Sequence, residues 1–230
     1  IIYFLHMNIV VIIQARSGSK GIKNKNIINY KNKPLIYHSI KSALKLKKIK
    51  RVIVSTDSKK YKSIAERFGA EVIIRPKNIS KDHSKDKEYL VHAYNYLRNK
   101  KKYFVDLFII LRPTCPDRNI KDLENALKIS IKNFNNYTSV RSVHILHNPP
   151  QKIFKIKNKY LIGFFNKSLK GEYHSEPRQI YPISYTPNSF FDAVKPEYFL
   201  RFKSKKKLWG NKILPYITSY YKDIDRKTDL

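Results

Sequence analysis

The sequence predicts an α/β fold with a mostly parallel sheet, helices on both faces of that sheet, and a β-rich elaboration. The first observation is that short apolar runs alternate with helical patterns as far as about residue 143, as in successive βαβ units. The second is that these runs are almost continuously apolar, as in LFIIL at 107–111, which is typical of strands buried on both faces. Sheets of this kind bind ligands at the carboxyl ends of their strands.

The expected elements alternate along the first part of the chain. Strands are predicted at 8–13, 51–55, 71–74, 107–111 and 138–143. Helices are predicted at 34–48, 59–68, 86–99 and 119–133, where apolar residues recur on one face. Pro34 suits the first turn of the first helix. Asp57 or Ser58 is expected to cap the second helix, and Gly69 to end it.

The pattern changes after about residue 144. Prolines become frequent, helical periodicity fades, and alternating stretches such as KIFKIK are typical of an antiparallel ribbon. We therefore expect one domain over 7–230, with 144–185 as an elaboration within it that covers a site or pairs two subunits. The domain is expected to begin at Met7, which stands just before the first strand, so that 1–6 would be upstream translation.

The chain is strongly basic, with 48 Lys and Arg against 17 Asp and Glu and a formal net charge of +31. Arg supplies only 11 of these cations, and the lysines are dispersed among many Ile, Asn and Tyr. Genome composition bias explains such a pattern, and an anionic partner is the alternative. Nucleic-acid grooves favour Arg for bidentate and stacking contacts, so nucleic-acid binding is disfavoured.

The sequence favours a cytoplasmic location. A single cysteine, Cys115, excludes an intrachain disulfide and fits a reducing compartment. The apolar start lacks the basic segment and the cleavage site of a secretory signal. It is also too short to span a bilayer, so we expect no membrane segment.

One loop has the composition of an anion-binding site. QARSGSKGIKNKN follows the first apolar strand and contains four cations and no acid. Backbone N–H groups of a Ser/Gly-rich turn at a strand end can converge on a phosphate, and Gly18 and Gly21 allow close backbone approach. The loop is neither a Walker A loop nor a dinucleotide G-x-G-x-x-G motif. An ordinary basic surface loop remains the alternative on composition alone.

Seven blocks, taken in order, match the motifs of one family. ARSGSKGIKNKN resembles A-R-x-x-S-K-x-x-x-x-K-N, and KPLIYHSIKSAL, VIVSTDS and FGAEVIIRP follow. ILRPTCPDR resembles L-Q-P-T-S-P-L-R, PRQIYPISYTPNS resembles P-R-Q-x-x-P-x-x-x-R-P-N-G, and DIDRKTDL resembles D-I-D-x-x-x-D-L. This family is the acylneuraminate cytidylyltransferases, or CMP-sialic acid synthetases. The resemblance implies a Rossmann-like three-layer nucleotidyltransferase fold.

The implied reaction is the transfer of CMP from CTP to an acidic nonulosonic sugar, sialic acid or a relative such as legionaminate, with release of pyrophosphate. The resemblance assigns catalytic roles at the triphosphate to Arg16, Lys20 and Lys25. It assigns nucleotide binding to Ser19, Asn26 and Arg75. It assigns sugar binding to Arg112, Lys152, Arg178, Gln179 and Asn188. An ion pair with Asp82 is the alternative for Arg75.

Mg²⁺ is the expected cofactor, because it prefers carboxylate and phosphate oxygens. Asp223 and Asp225 are its expected ligands, and their i, i+2 spacing places both carboxylates on one side of an extended segment. An aspartate pair that caps a helix is the alternative. The seven histidines show no metal-site spacing with the cysteine.

The sequence departs from the family pattern near the acceptor. Arg112 replaces a Gln, Thr186 an Arg and Ser189 a Gly, and Asp192 stands where several relatives have Tyr. A guanidinium differs from an amide in charge and in donor number, so we expect Arg112 to bind the sugar carboxylate bidentately. The sugar would then differ from N-acetylneuraminate. Pairing of Arg112 with a nearby aspartate is the alternative.

The resemblance also implies a homodimer in which the partner's elaboration closes the acceptor pocket. The expected partners are therefore CTP, an acidic sugar and a second copy of the chain. Three other functions remain open. They are a cytidylyltransferase for another ulosonate such as 3-deoxy-manno-octulosonate, a basic nucleic-acid-binding protein, and a homologue that binds nucleotide without turnover.

Overall fold

A seven-stranded sheet forms the centre of the computed structural model, which describes residues 7–19, 21–165, 167–203 and 207–230. From one edge to the other, the strands are β11 (Ile213–Ile217), β7 (Ser139–Leu146), β10 (Ser184–Val194), β6 (Leu107–Ile110), β1 (Ile9–Gln14), β4 (Arg51–Thr56) and β5 (Glu71–Ile74). Only β10 runs against the others within this sheet, because it is antiparallel to both β6 and β7. The remaining pairs are parallel.

Helices cover both faces of this sheet, which confirms the predicted three-layer α/β fold. One face packs against α1 (Leu35–Leu44), α2 (Lys59–Arg67) and α4 (Ile120–Lys132). The other packs against α3 (Asp86–Lys101) and α5 (Pro196–Leu200). Alternate residues of the central strands serve the two cores, so that Val11 faces the first and Val10 the second.

Two helix boundaries follow from local contacts. Helix α1 ends at Leu44, before the predicted limit of 48, because Leu46 turns back into the core through a bond from its N–H to the carbonyl oxygen of Ala43. Ser58 caps α2, since its hydroxyl accepts from the N–H of Tyr61 at 3.3 Å. The carboxylate of Asp57 binds elsewhere, as described below.

Two short pairings lie outside the main sheet. The strands β2 (Asn29–Tyr30) and β3 (Lys33–Pro34) form a hairpin before α1. The strands β8 (Phe154–Lys157) and β9 (Tyr160–Gly163) form the antiparallel ribbon predicted for the elaboration. Large apolar side chains on this ribbon, including Ile156 and Leu161, are exposed.

The strand order creates a crevice at the carboxyl-terminal edge of the sheet. From β1 the chain moves outward to β4 and β5, and then crosses to β6 on the other side of β1. The carboxyl ends of β1 and β6 therefore lie at the point where the strand order reverses. Open α/β sheets bind ligands in the crevice at this point.

Candidate active site

A cleft of about 290 Å³ opens at the carboxyl ends of β1 and β6. Its described lining is Gln14, Arg16, Ser19, Lys25, Asn26, Arg112, Pro113, Thr114, Ser189, Asp223 and Asp225. Seven of the residues that the resemblance assigns to the site are among them. Lys20 lies outside the described residues.

The basic turn after β1 is shaped by contacts with its neighbours. The N–H and the hydroxyl of Ser17 donate to the Asp57 carboxylate at 2.8 and 3.0 Å. The buried amide of Asn26 donates to the carbonyl oxygen of Arg16 at 2.9 Å. Asp57 therefore fixes the turn, while Ser58 caps the helix.

Two cations of the turn pair with carboxylates. Arg16 Nη1 lies 2.6 Å from Asp82 Oδ1, and Lys25 Nζ lies 2.7 Å from Asp225 Oδ1. The second pair joins residues 200 positions apart in the sequence. The basic turn and the segment 223–225 thus line the same cleft.

Close packing holds these two segments together. A Cβ at Gly21 would come within 3.1 Å of the carbonyl oxygen of Asp225, so a side chain there would force the two backbones apart. Ile224 is fully buried in a small cluster that also contains Ile22. Its N–H donates to the carbonyl oxygen of Thr114 at 2.7 Å, which ties the segment to the loop after β6.

Asp223 and Asp225 suit a magnesium ion that also binds phosphate. Asp223 Oδ2 accepts from the Ser189 hydroxyl at 2.7 Å, whereas its Oδ1 is buried and has no hydrogen-bond partner among the described residues. Within these residues no group of three His, Cys, Asp or Glu could hold a metal. Mg²⁺ is usually bound by one or two carboxylates together with phosphate oxygens, so a carboxylate pair is sufficient.

Arg112, for which the sequence predicts a bidentate contact with the sugar carboxylate, is paired with two aspartates of the protein. One terminal nitrogen binds Asp192, and the other lies 2.8 Å from Asp86 Oδ2. Asp192 is buried and also accepts from Arg141 Nε at 3.2 Å. Burial lowers the pKa of Arg112, but Asp192 and Asp86 outweigh it and raise this pKa above its ordinary value. The alternative, pairing with an aspartate, is the arrangement that the structure contains.

Arg75 is buried at the end of β5, outside the described lining of the cleft. Its Nη2 donates to the carbonyl oxygen of Ser55 at 3.1 Å, and its guanidinium lies 5.4 Å from the centre of the Tyr89 ring. Burial lowers its pKa. Its Nε is buried and has no hydrogen-bond partner within the described residues.

The remaining residues assigned to the sugar lie away from the cleft lining. Asn188 is buried, and its Nδ2 lies 2.5 Å from Thr218 Oγ1. Lys152 belongs to the elaboration, in the 3-10 helix Pro150–Lys152. Arg178 and Gln179 line a second cavity of about 410 Å³ in the elaboration. In the part of the chain that is described, one copy does not bring them to the cleft.

Sequence reasoning did not identify Arg118 as a support of the site. This residue is buried, and its guanidinium donates five hydrogen bonds to segments on both sides of the cleft. The acceptors are Ser39 Oγ and the carbonyl oxygens of Arg112, Cys115, Ser189 and Phe190. Its place as the final Arg of ILRPTCPDR was the available signal. Gln14, the last residue of β1, and Thr114, in the loop after β6, also line the cleft.

Comparisons with known proteins identify relatives of this chain. A family model described as Cytidylyltransferase matches residues 10–143. The chain is 29% identical over 221 residues to the N-acylneuraminate cytidylyltransferase of Escherichia coli O18:K1:H7, covering 96% of this chain and 49% of that protein. It is 35% identical over 126 residues to the CMP-N,N'-diacetyllegionaminic acid synthase of Legionella pneumophila, covering 54% of this chain and 53% of that protein.

A solved structure shares the fold. It is a CMP:2-keto-3-deoxy-manno-octonic acid synthetase complexed with CTP, with a TM-score of 0.70 and 17% identity over 96% of this chain and 94% of that chain. Within the described ranges, no helix has both the length and the apolar character needed to cross a bilayer. The chain spans about half the length of the two curated relatives. Because the matched region 10–143 is more than half of its 230 residues, the chain belongs to the cytidylyltransferase family.

Proposed function

We propose that the chain transfers CMP from CTP to an acidic nonulosonic sugar and releases pyrophosphate. The observation that carries this proposal is the meeting of the basic turn and the aspartate segment in one cleft, where Lys25 Nζ lies 2.7 Å from Asp225 Oδ1. A triphosphate needs fixed cations on one side and carboxylate ligands for its counter-ion on the other. The cleft offers both at the carboxyl ends of β1 and β6.

Several groups in the cleft would act in this reaction. Arg16 and Lys25 would bind phosphate oxygens and stabilise the charge that develops as pyrophosphate leaves. Asn26 keeps the turn in shape through the carbonyl oxygen of Arg16. Asp223 and Asp225 would hold Mg²⁺, which neutralises phosphate charge when it is bound. Ser19 and Lys20 would complete the triphosphate site.

The nucleoside and the sugar would lie on either side of the triphosphate. Arg75 would contact the cytidine. The sugar hydroxyl would attack the α-phosphorus in line with the leaving pyrophosphate and lose its proton as the new P–O bond forms. Arg112 would border the acceptor as a rigid, paired cation, because both of its terminal nitrogens already bind carboxylates. Asn188 would support this border through Thr218.

We further propose a homodimer in which the elaboration of one copy completes the acceptor pocket of the other. Two observations support it. Arg178 and Gln179 line a cavity of their own. In addition, the ribbon and its surroundings expose several large apolar side chains, among them Ile156, Leu161 and Ile183. Apolar patches of this kind mark interaction surfaces. Lys152, in the same elaboration, would also approach the partner's sugar.

The domain limits and the location complete the proposal. We propose one nucleotidyltransferase domain over 7–230, with 144–185 as its dimerisation or lid elaboration. We propose a cytoplasmic location, which the buried free thiol of Cys115 supports, since thiols persist in reducing compartments.

A pyrophosphate-release assay tests the proposed reaction. The purified chain is incubated with CTP, Mg²⁺ and one of four sugars: N-acetylneuraminate, a legionaminate, a pseudaminate or 3-deoxy-manno-octulosonate. We expect release with a nine-carbon acid and a matching CMP-sugar by mass spectrometry. Release only with 3-deoxy-manno-octulosonate would assign a different ulosonate, and no release with any sugar would refute the function.

Two lysine variants provide a matched pair in the same assay. Lys25→Ala removes a cation from the cleft and should lower kcat/KM for CTP by about 100-fold, the scale for one stabilising donor. Lys23→Ala removes the same charge from the same turn at an exposed position outside the described cleft lining. We expect it to stay close to wild type. Equal losses of kcat/KM in both variants would indicate that the net charge of the turn, and not the position of Lys25 in the cleft, determines the activity.

A further inference from the structure

We propose that Ser189 is a positioning residue whose hydroxyl fixes the orientation of Asp223 for the binding of Mg²⁺ with CTP. This inference rests on the proposed function, because it concerns the same carboxylate. Ser189 lines the cleft, but its side chain has neither the charge nor the amide of the residues that are expected to bind substrate or metal.

The contact between the two residues is direct and has one possible polarity. Ser189 Oγ lies 2.7 Å from Asp223 Oδ2, and an ionised carboxylate only accepts hydrogen bonds, so the hydroxyl is the donor. The other oxygen, Oδ1, is buried and lacks a hydrogen-bond partner among the described residues. One oxygen of the carboxylate is therefore held by a hydrogen bond, whereas the other has no partner. A bound cation would provide a partner for this second oxygen.

The backbone of Ser189 adopts a conformation that side chains disfavour. Its φ is +58°, in the left-handed region where a Cβ is crowded. The residue lies in a register shift of β10 between Pro187 and Asp192. Arg118, which is buried, stabilises this conformation, because its Nη2 donates to the carbonyl oxygen of Ser189 at 3.0 Å. Such outliers concentrate at functional sites, where surrounding structure enforces them.

The segment that carries Asp223 is anchored independently of Ser189. The N–H of Ile224 donates to Thr114, and the Ile224 side chain is fully buried. Loss of the Ser189 hydroxyl should therefore leave the backbone of the segment in place and free only the Asp223 carboxylate. Groups that hydrogen-bond to a metal ligand typically change metal affinity by about 10–100-fold when they are removed.

Two substitutions at Ser189 distinguish the effect of the hydroxyl from the effect of the backbone conformation. Ser189→Ala removes the hydroxyl and keeps the Cβ, whereas Ser189→Gly removes both and relieves the left-handed conformation. Ser130→Ala is the control, because the Ser130 hydroxyl bonds within α4 to Ala126. Mg²⁺ is titrated by calorimetry into each protein with saturating CTP and no sugar, so that no turnover occurs. CTP affinity without metal and the unfolding temperature are measured alongside.

We expect Ser189→Ala and Ser189→Gly to weaken Mg²⁺ binding by about 10-fold each, with CTP affinity in the absence of metal unchanged. Ser130→Ala should bind Mg²⁺ like wild type. Two results would overturn the inference in favour of a backbone effect. One is wild-type affinity for Mg²⁺ in Ser189→Gly, and the other is a loss of metal-free CTP binding as large as the loss of Mg²⁺ binding. Absence of CTP-dependent Mg²⁺ binding in the wild-type protein would instead refute the proposed metal site itself.

Discussion

Replacement of Arg118 by Lys should destabilise the protein severely although it preserves the charge. The guanidinium has five N–H donors, and all five are used. An ammonium has three donors at one point, so at least two acceptors lose their partner. Three of the acceptors belong to the buried residues Ser39, Cys115 and Phe190, where water cannot replace a lost donor without opening the core.

The size of the effect follows from the number of bonds lost. A hydrogen bond to a charged group contributes about 1.5–3 kcal/mol, so the loss of two amounts to about 3–6 kcal/mol. Proteins of this kind have a free energy of unfolding of about 5–15 kcal/mol. Arg118→Lys should therefore remove a large part of the stability. It should also raise KM for CTP, because two of the acceptors belong to the cleft residues Arg112 and Ser189.

Urea unfolding, followed by circular dichroism and by tryptophan fluorescence, measures the change. Coincident curves from the two probes would justify a two-state treatment. Arg201→Lys is the matched control, since the Arg201 side chain is 72% exposed and should change stability by less than about 0.5 kcal/mol. A loss below about 1 kcal/mol in Arg118→Lys would refute the reasoning, because the five contacts would then contribute little.

Three further predictions concern the charges of the cleft and the second copy. Asp225→Asn should lower turnover and raise the Mg²⁺ concentration for half-maximal rate, measured by pyrophosphate release; an unchanged requirement would remove Asp225 from the metal site. Asp192→Asn leaves Arg112 and Arg141 without their shared buried carboxylate and should cost about 3 kcal/mol in urea unfolding. Lys25→Ala and Arg178→Ala proteins, each expected to be impaired alone, should recover up to about a quarter of wild-type activity when they are mixed after brief unfolding, if sites are shared between copies; no recovery would place each site in one chain.

The sequence was most informative where burial is uniform along an element. Strands such as β1 and β6 are apolar on both faces, so their composition alone indicates where they lie. Strand β10 has no such signature. Its first half is partly exposed, its second half is buried, and a register shift separates them. Neither a period of two nor a continuous apolar run describes it, and its antiparallel place between β6 and β7 is set by contacts distant in sequence.

Partners of charged residues were the part that sequence could not supply. Arg112 binds Asp86 and Asp192, which are 26 and 80 positions away. No local pattern relates these residues, and only the fold brings them together. The bidentate sugar contact was a reasonable inference for an isolated guanidinium at a strand end. That contact stays a prediction, whereas the structure shows that the protein itself supplies two carboxylates to Arg112.

The exposure of each ion pair distinguishes the cations that could leave their carboxylates to bind a triphosphate from those that could not. Asp225, the partner of Lys25, is 65% exposed, and the Arg16–Asp82 pair is also partly exposed. Such pairs contribute only about 0–1 kcal/mol, so phosphate oxygens can take over the cations at little cost. The Asp192 side chain is 3% exposed, and freeing Arg112 from it would leave a buried charge at a cost of about 3–5 kcal/mol. In the proposed reaction, Arg16 and Lys25 would therefore exchange their carboxylates for phosphate oxygens, whereas Arg112 would stay paired and position the substrates.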